Sequence, residues 1–152
     1  MEKLKDLKSP WTGRTILEDM KAAKTGKEMI ESWITTLPSK DEYEKTAAPW
    51  GLVPEEAPDL IEYYMQKQMI YNYEHSTLDP KVAKLIALAV CAVQNVPIGV
   101  YNHSVGAMAR GATKEEVLDT LRICAFECSK HGVMGFLEGL NMFLEKLKKE
   151  GK

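Results

Sequence analysis

The chain has 152 residues and a mass of 17.1 kDa, the usual size of one domain with its own core. Hydrophobic residues make up 45% of the chain and charged residues 28%, a composition that excludes global disorder. The formal charge of −2 does not favour nucleic-acid binding through phosphate neutralisation.

The first half of the chain predicts short helices joined by proline- and glycine-containing turns. Apolar residues recur at helical spacing over residues 15–37, with an interruption at Gly26 and a stop at Pro38. Residues 39–58 are typical of a connector, and a further helix is predicted from Pro58 to about Glu74. We therefore expect helices, and no strands, in this half.

The second half predicts four helices. Asp79-Pro80 is a strong start signal for a helix that continues to Val93. The others are predicted over 98–111, from the Thr113-Lys-Glu-Glu116 capping box to about residue 128, and after His131-Gly132 to the charged tail. Because no segment alternates with period two, the fold class is predicted to be all-α.

Two further features predict the cellular compartment. No apolar stretch reaches the roughly 20 residues that a membrane span needs, and the first residues lack the apolar segment of a signal peptide. Three cysteines, Cys91, Cys124 and Cys128, form no Cys-x-x-Cys pair, which indicates thiols and not a disulfide framework. We expect a cytoplasmic protein with neither a membrane nor a nucleic acid as partner.

The blocks Leu78 to Val90 and Gly111 to Val117, with His103 and Ala107 between them, resemble the carboxymuconolactone decarboxylase family, which includes the AhpD-like proteins. The resemblance covers roughly residues 57–145. It implies an AhpD-like helical bundle that assembles as a homotrimer or homohexamer. We therefore divide the chain into an N-terminal helical extension, 1–56, and a carboxymuconolactone decarboxylase-like domain, 57–152.

The family's peroxidase branch has a Cys-x-x-Cys pair, a His four residues later and a Glu on the preceding helix. Here His103 is present, but Val96 and Gly99 stand at the cysteine positions and Lys84 at the Glu position. A thiolate nucleophile needs a thiol and a base at that place. The resemblance therefore implies, by elimination, a cofactor-free lyase that acts on a small anionic, carboxylated substrate.

His103 is the predicted catalytic acid, on a helix face with small neighbours such as Gly99 and Gly106 that leave room for a substrate. Alternatively, these glycines allow close helix packing and His103 is structural. Arg110 is predicted to hold a substrate carboxylate, or only to complement the helix dipole. Lys84 either presents a cation to the substrate or is a solvated lysine.

A second cluster consists of Cys124, Cys128 and His131, at spacings of four and three on one helical face. Two thiols and an imidazole can bind zinc, but the face continues an apolar row, which favours core packing and no metal. His131 lies at the helix end, near the turn that borders the family's pocket, and is a second catalytic candidate. Cys124 and Cys128, or Cys91, are candidate redox residues if the protein is instead a thiol peroxidase or redox protein. A non-enzymatic ligand-binding or assembly module is the third hypothesis.

Overall fold

The computed structural model describes residues 3–34, 51–127 and 133–151, and these residues form an all-α protein, as predicted. Contacts divide the chain into two compact units, Met1–Pro80 and Lys81–Lys152. Within the described residues, no helix combines the length and the apolar character that a membrane span requires.

The described part of the first unit contains short helices. The predicted interruption near Gly26 is confirmed, because one helix ends at Ala22 and the next begins at Gly26. The helix predicted from Pro58 to about Glu74 is confirmed as a continuous helical run over residues 58–75, and its middle segment is π-helical. The elements are α1 (Ile16–Ala22), α2 (Gly26–Ile34), α3 (Val53–Glu56), α4 (Pro58–Ile61), the π-helical segment (Glu62–Lys67) and α5 (Gln68–His75).

The described residues of the second unit form four longer helices that follow the predicted boundaries closely: α6 (Pro80–Val93), α7 (Pro97–Met108), α8 (Lys114–Glu127) and α9 (Val133–Lys149). The predicted capping box is present. The backbone N–H of Thr113 donates to Glu116 Oε2 at 2.8 Å, and the N–H of Glu116 donates to Thr113 Oγ1 at 3.1 Å. Gly111, with φ of 84°, makes the left-handed turn between α7 and α8.

Helices α7 and α9 pack closely in the second unit, and Gly139 is the point of closest approach. Val100 of α7 is buried there, as are Phe143 and Leu147, four and eight residues after Gly139 on α9. A methyl group on Gly139 would lie 2.7 Å from Cβ of Val100 and closer still to the carbonyl oxygen of Pro97. This close contact fixes the position of α7, the helix that carries His103.

Gly139→Ala is expected to lower the free energy of unfolding by roughly 1–3 kcal/mol, because the methyl group must displace the backbone of α7. In a helix without this contact the same change would stabilise the protein by ~1 kcal/mol. The sign of the change in the free energy of unfolding therefore shows whether the contact constrains residue 139. Urea unfolding measures it. Glu138→Ala, at the exposed position before it, is the control, and an equal effect of both changes would contradict the packing argument.

Candidate functional site

Lys84 lies on the core-facing side of α6. It is 9% exposed, and Leu88 and Ala92, four and eight residues later, are completely buried. Residues at this spacing share one helical face, so a lysine occupies a position where the pattern of the helix calls for an apolar residue. The interpretation of Lys84 as a solvated lysine is therefore wrong. Its ammonium group is removed from water, a placement that costs free energy and needs a compensating role.

The surroundings of Lys84 change its protonation. Burial, the largest cause, and the neighbouring Arg110 cation lower the pKa of Lys84 from its ordinary value to about 7, while the Cys91 thiol acts in the opposite direction. Within the described residues, no carboxylate forms an ion pair with Lys84. At neutral pH the side chain is therefore divided between ammonium and free amine.

Arg110 follows α7 and turns back onto its last turn. Its Nη1 donates a hydrogen bond of 2.8 Å to the carbonyl oxygen of Gly106, the interaction with the helix end that the sequence allowed. A methyl group on Gly106 would lie 3.4 and 3.5 Å from Cδ and Cε of Lys84, and 3.7 Å from Nη1 of Arg110. The two cationic side chains therefore meet over the bare backbone of Gly106.

His103 lies one turn before Gly106 on the same helix. Burial, followed by the charges of Lys84 and Arg110, lowers the pKa of His103 to about 3, so the imidazole is neutral at pH 7. Its Nδ1 is buried and has no hydrogen-bond partner among the residues that the structure describes. Buried polar atoms in native proteins are nearly always satisfied by protein, water or ligand, so this nitrogen is available to a water molecule or to a bound substrate.

The sequence made Cys91 a candidate redox thiol but did not place it beside Lys84. A methyl group on Gly99 would lie 2.5 Å from Sγ of Cys91, so this thiol fills the space that a side chain at position 99 would occupy. Burial raises the pKa of Cys91, an effect that Lys84 partly opposes, so the group is a thiol at neutral pH and a poor nucleophile. The signal that could have found it is the spacing of seven between Lys84 and Cys91, which puts both on one face of α6.

The second predicted cluster is described only in part. Cys124 is buried, and its Sγ lies 3.8 Å from the carbonyl oxygen of Ala89, which is consistent with the core position favoured from the sequence. Cys128 and His131 lie outside the described residues, so their catalytic, redox and packing roles stay predictions. Within the part of the chain that is described, no group of three His, Cys, Asp or Glu side chains is arranged to hold a metal ion.

Three of the predicted site residues therefore come together, Lys84 from α6 with His103 and Arg110 from α7 and the turn after it, while the fourth, Gly99, contacts Cys91 of α6. A profile of the carboxymuconolactone decarboxylase family matches residues 58–137, more than half of the chain and a span that includes all four. Searches of curated proteins and of solved structures found no match. The chain belongs to the carboxymuconolactone decarboxylase family.

Proposed function

We propose that the protein is a cofactor-free lyase that decarboxylates a small organic acid at the site formed by Lys84, His103 and Arg110. The observation that carries this proposal is the meeting of the buried Lys84 and the half-buried Arg110 over Gly106, beside a neutral imidazole with an unsatisfied nitrogen. Positive charge that is withdrawn from water attracts a carboxylate, and the missing side chain of Gly106 lets Lys84 and Arg110 both approach its backbone.

In this reaction Arg110 holds the substrate carboxylate, because a guanidinium stays charged at every physiological pH. The carbon–carbon bond to the carboxylate breaks and carbon dioxide leaves. The electron pair of the broken bond stays with the substrate and moves into a neighbouring carbonyl group. A positive charge at Lys84 stabilises the negative charge that develops there. Burial excludes water, so the charge acts at low effective dielectric.

His103 completes the reaction by returning a proton to carbon. In the free protein burial, and then repulsion from Lys84 and Arg110, keep the pKa of His103 too low for this role. The negative charge of a bound carboxylate offsets those two cations and raises the pKa of His103 in the complex. The acid role predicted from the sequence therefore belongs to the complex, and in the free protein His103 is a neutral hydrogen-bonding group.

The test measures carbon dioxide release from a panel of short β-keto acids and of lactones that carry a carboxylate. His103→Gln keeps a hydrogen-bond donor but cannot transfer a proton, and we expect it to lower turnover by roughly 10²–10⁴-fold. His75→Gln, at an exposed histidine of the first unit, is the matched control and should leave turnover unchanged. Release from none of these acids, or full turnover by His103→Gln, would overturn the proposal.

A further inference from the structure

We propose that Lys84 is a covalent catalyst that forms an imine with the carbonyl group of its substrate, and that the substrate is a short β-keto acid. This inference rests on the proposed lyase function and specifies the substrate class and the chemical role of one residue. It is carried by the position of Lys84 in the fold and by the groups that surround it.

The first step of the argument is the burial of Lys84. Its stem packs along the Gly106 backbone, with Cδ and Cε at ordinary van der Waals distance from a methyl group built there. A lysine that served only as a charge for binding anions could remain hydrated at the mouth of a site. Lys84 is instead on the buried stripe of α6, with no ion-pairing carboxylate among the described residues.

The second step concerns the protonation of its nitrogen. Only an unprotonated amine adds to a carbonyl group, and an exposed lysine with a pKa near 10 is almost entirely protonated at pH 7. Burial and the Arg110 cation remove this obstacle, because they leave a large share of Lys84 as free amine at neutral pH. Desolvation and a neighbouring cation are the two devices that make a lysine nucleophilic.

The third step is the geometry of the substrate. Arg110 and Lys84 approach the same point above Gly106, so a carboxylate held by Arg110 places the adjacent part of the molecule at Lys84. A β-keto acid has its carbonyl carbon two bonds from the carboxylate carbon, a separation that suits two groups so close together. His103, one helical turn away, is a further polar group of the described site, with a buried Nδ1 that lacks a hydrogen-bond partner there.

The reaction balances without an oxidant, a reductant or a cofactor. Nζ of Lys84 adds to the carbonyl carbon, and water leaves as the protonated imine forms. The bond to the carboxylate breaks, its electron pair moves into the imine to give an enamine, and carbon dioxide leaves. A proton added at the former carboxylate-bearing carbon restores the imine, and water hydrolyses it to a ketone and free Lys84.

The experiment is reductive trapping of the full-length protein. The chain is incubated with acetoacetate and sodium borohydride, and the modified lysine is located by peptide mass spectrometry. We expect the reduced imine on Lys84, and its loss in Lys84→Arg and in Lys84→Met. Lys81→Arg is the matched control on the same helix, since Lys81 pairs with Glu116 at 2.8 Å, and it should be trapped as the wild type is.

A second readout separates this inference from the proposed function. Imine hydrolysis transfers oxygen from water to the ketone, so the product formed in ¹⁸O-water should acquire the label faster than free ketone does. Release of carbon dioxide from acetoacetate with no adduct on Lys84 and no such labelling would overturn the imine and leave the lyase standing. An adduct on Lys84 without carbon dioxide release would support the imine and contradict the lyase. The absence of both the adduct and carbon dioxide release would overturn both proposals.

Discussion

Replacing Lys84 with methionine is expected to abolish turnover while raising the free energy of unfolding. Methionine fills nearly the same volume on the buried stripe of α6 but brings no group that must leave water. Substituting an apolar residue for a buried charge commonly stabilises a protein by roughly 1–4 kcal/mol. Turnover should fall by ~10³-fold or more, because the variant lacks the group that stabilises the electron pair left when the bond to the carboxylate breaks.

Lys81→Met is the matched control for this prediction. Lys81 lies three residues earlier on α6 and forms a partly exposed ion pair with Glu116. Loss of such a pair costs only about 0–1 kcal/mol and does not touch the site. Chemical unfolding and carbon dioxide release measure both variants. A Lys84→Met variant that is less stable than the wild type and still active would show that Lys84 is a structural residue.

The value of kcat/KM is expected to rise with pH through about 7 and then to level off. Only the free amine of Lys84 attacks a carbonyl, and below its pKa the amine fraction increases about tenfold per pH unit. The groups that set this pKa are Arg110, which is always charged, and Cys91, which is a neutral thiol; His103 is neutral in the free protein. A fall of kcat/KM above pH 7 would instead show that the ammonium form of Lys84 acts. That result would leave the proposed lyase function standing and contradict the proposed imine.

The stability of the protein reports the same pKa without any substrate. The pKa of Lys84 is about 7 when folded and near its ordinary value of 10.5 when unfolded, so between these values the unfolded chain binds more protons. The contribution of Lys84 to the free energy of unfolding therefore rises with pH across this window, by at most ~1.4 kcal/mol per unit, and is constant below it. The difference in this slope between wild type and Lys84→Met isolates the contribution of Lys84.

Much of the second unit could be predicted from the sequence because its signals are local. Asp79-Pro80, the Thr113 capping box and Gly111 determine where helices begin and end through hydrogen bonds and backbone angles within a few residues. The π-helical segment of the helix that begins at Pro58 was not predicted, because no pattern of residues in the sequence distinguishes a π turn from an α turn. The division at residue 57, the assembly as a trimer or hexamer and the cytoplasmic location stay predictions.

The sequence by itself determined the all-α fold class, the family and the absence of thiols at positions 96 and 99. Only the tertiary structure decided what Lys84 is, because its protonation depends on burial and on Arg110, which is distant in sequence and adjacent in space. A helical pattern shows which face a residue occupies but not which charges oppose it there. Desolvation and electrostatic fields act through space, and for that reason the chemistry of this site emerged only from the folded chain.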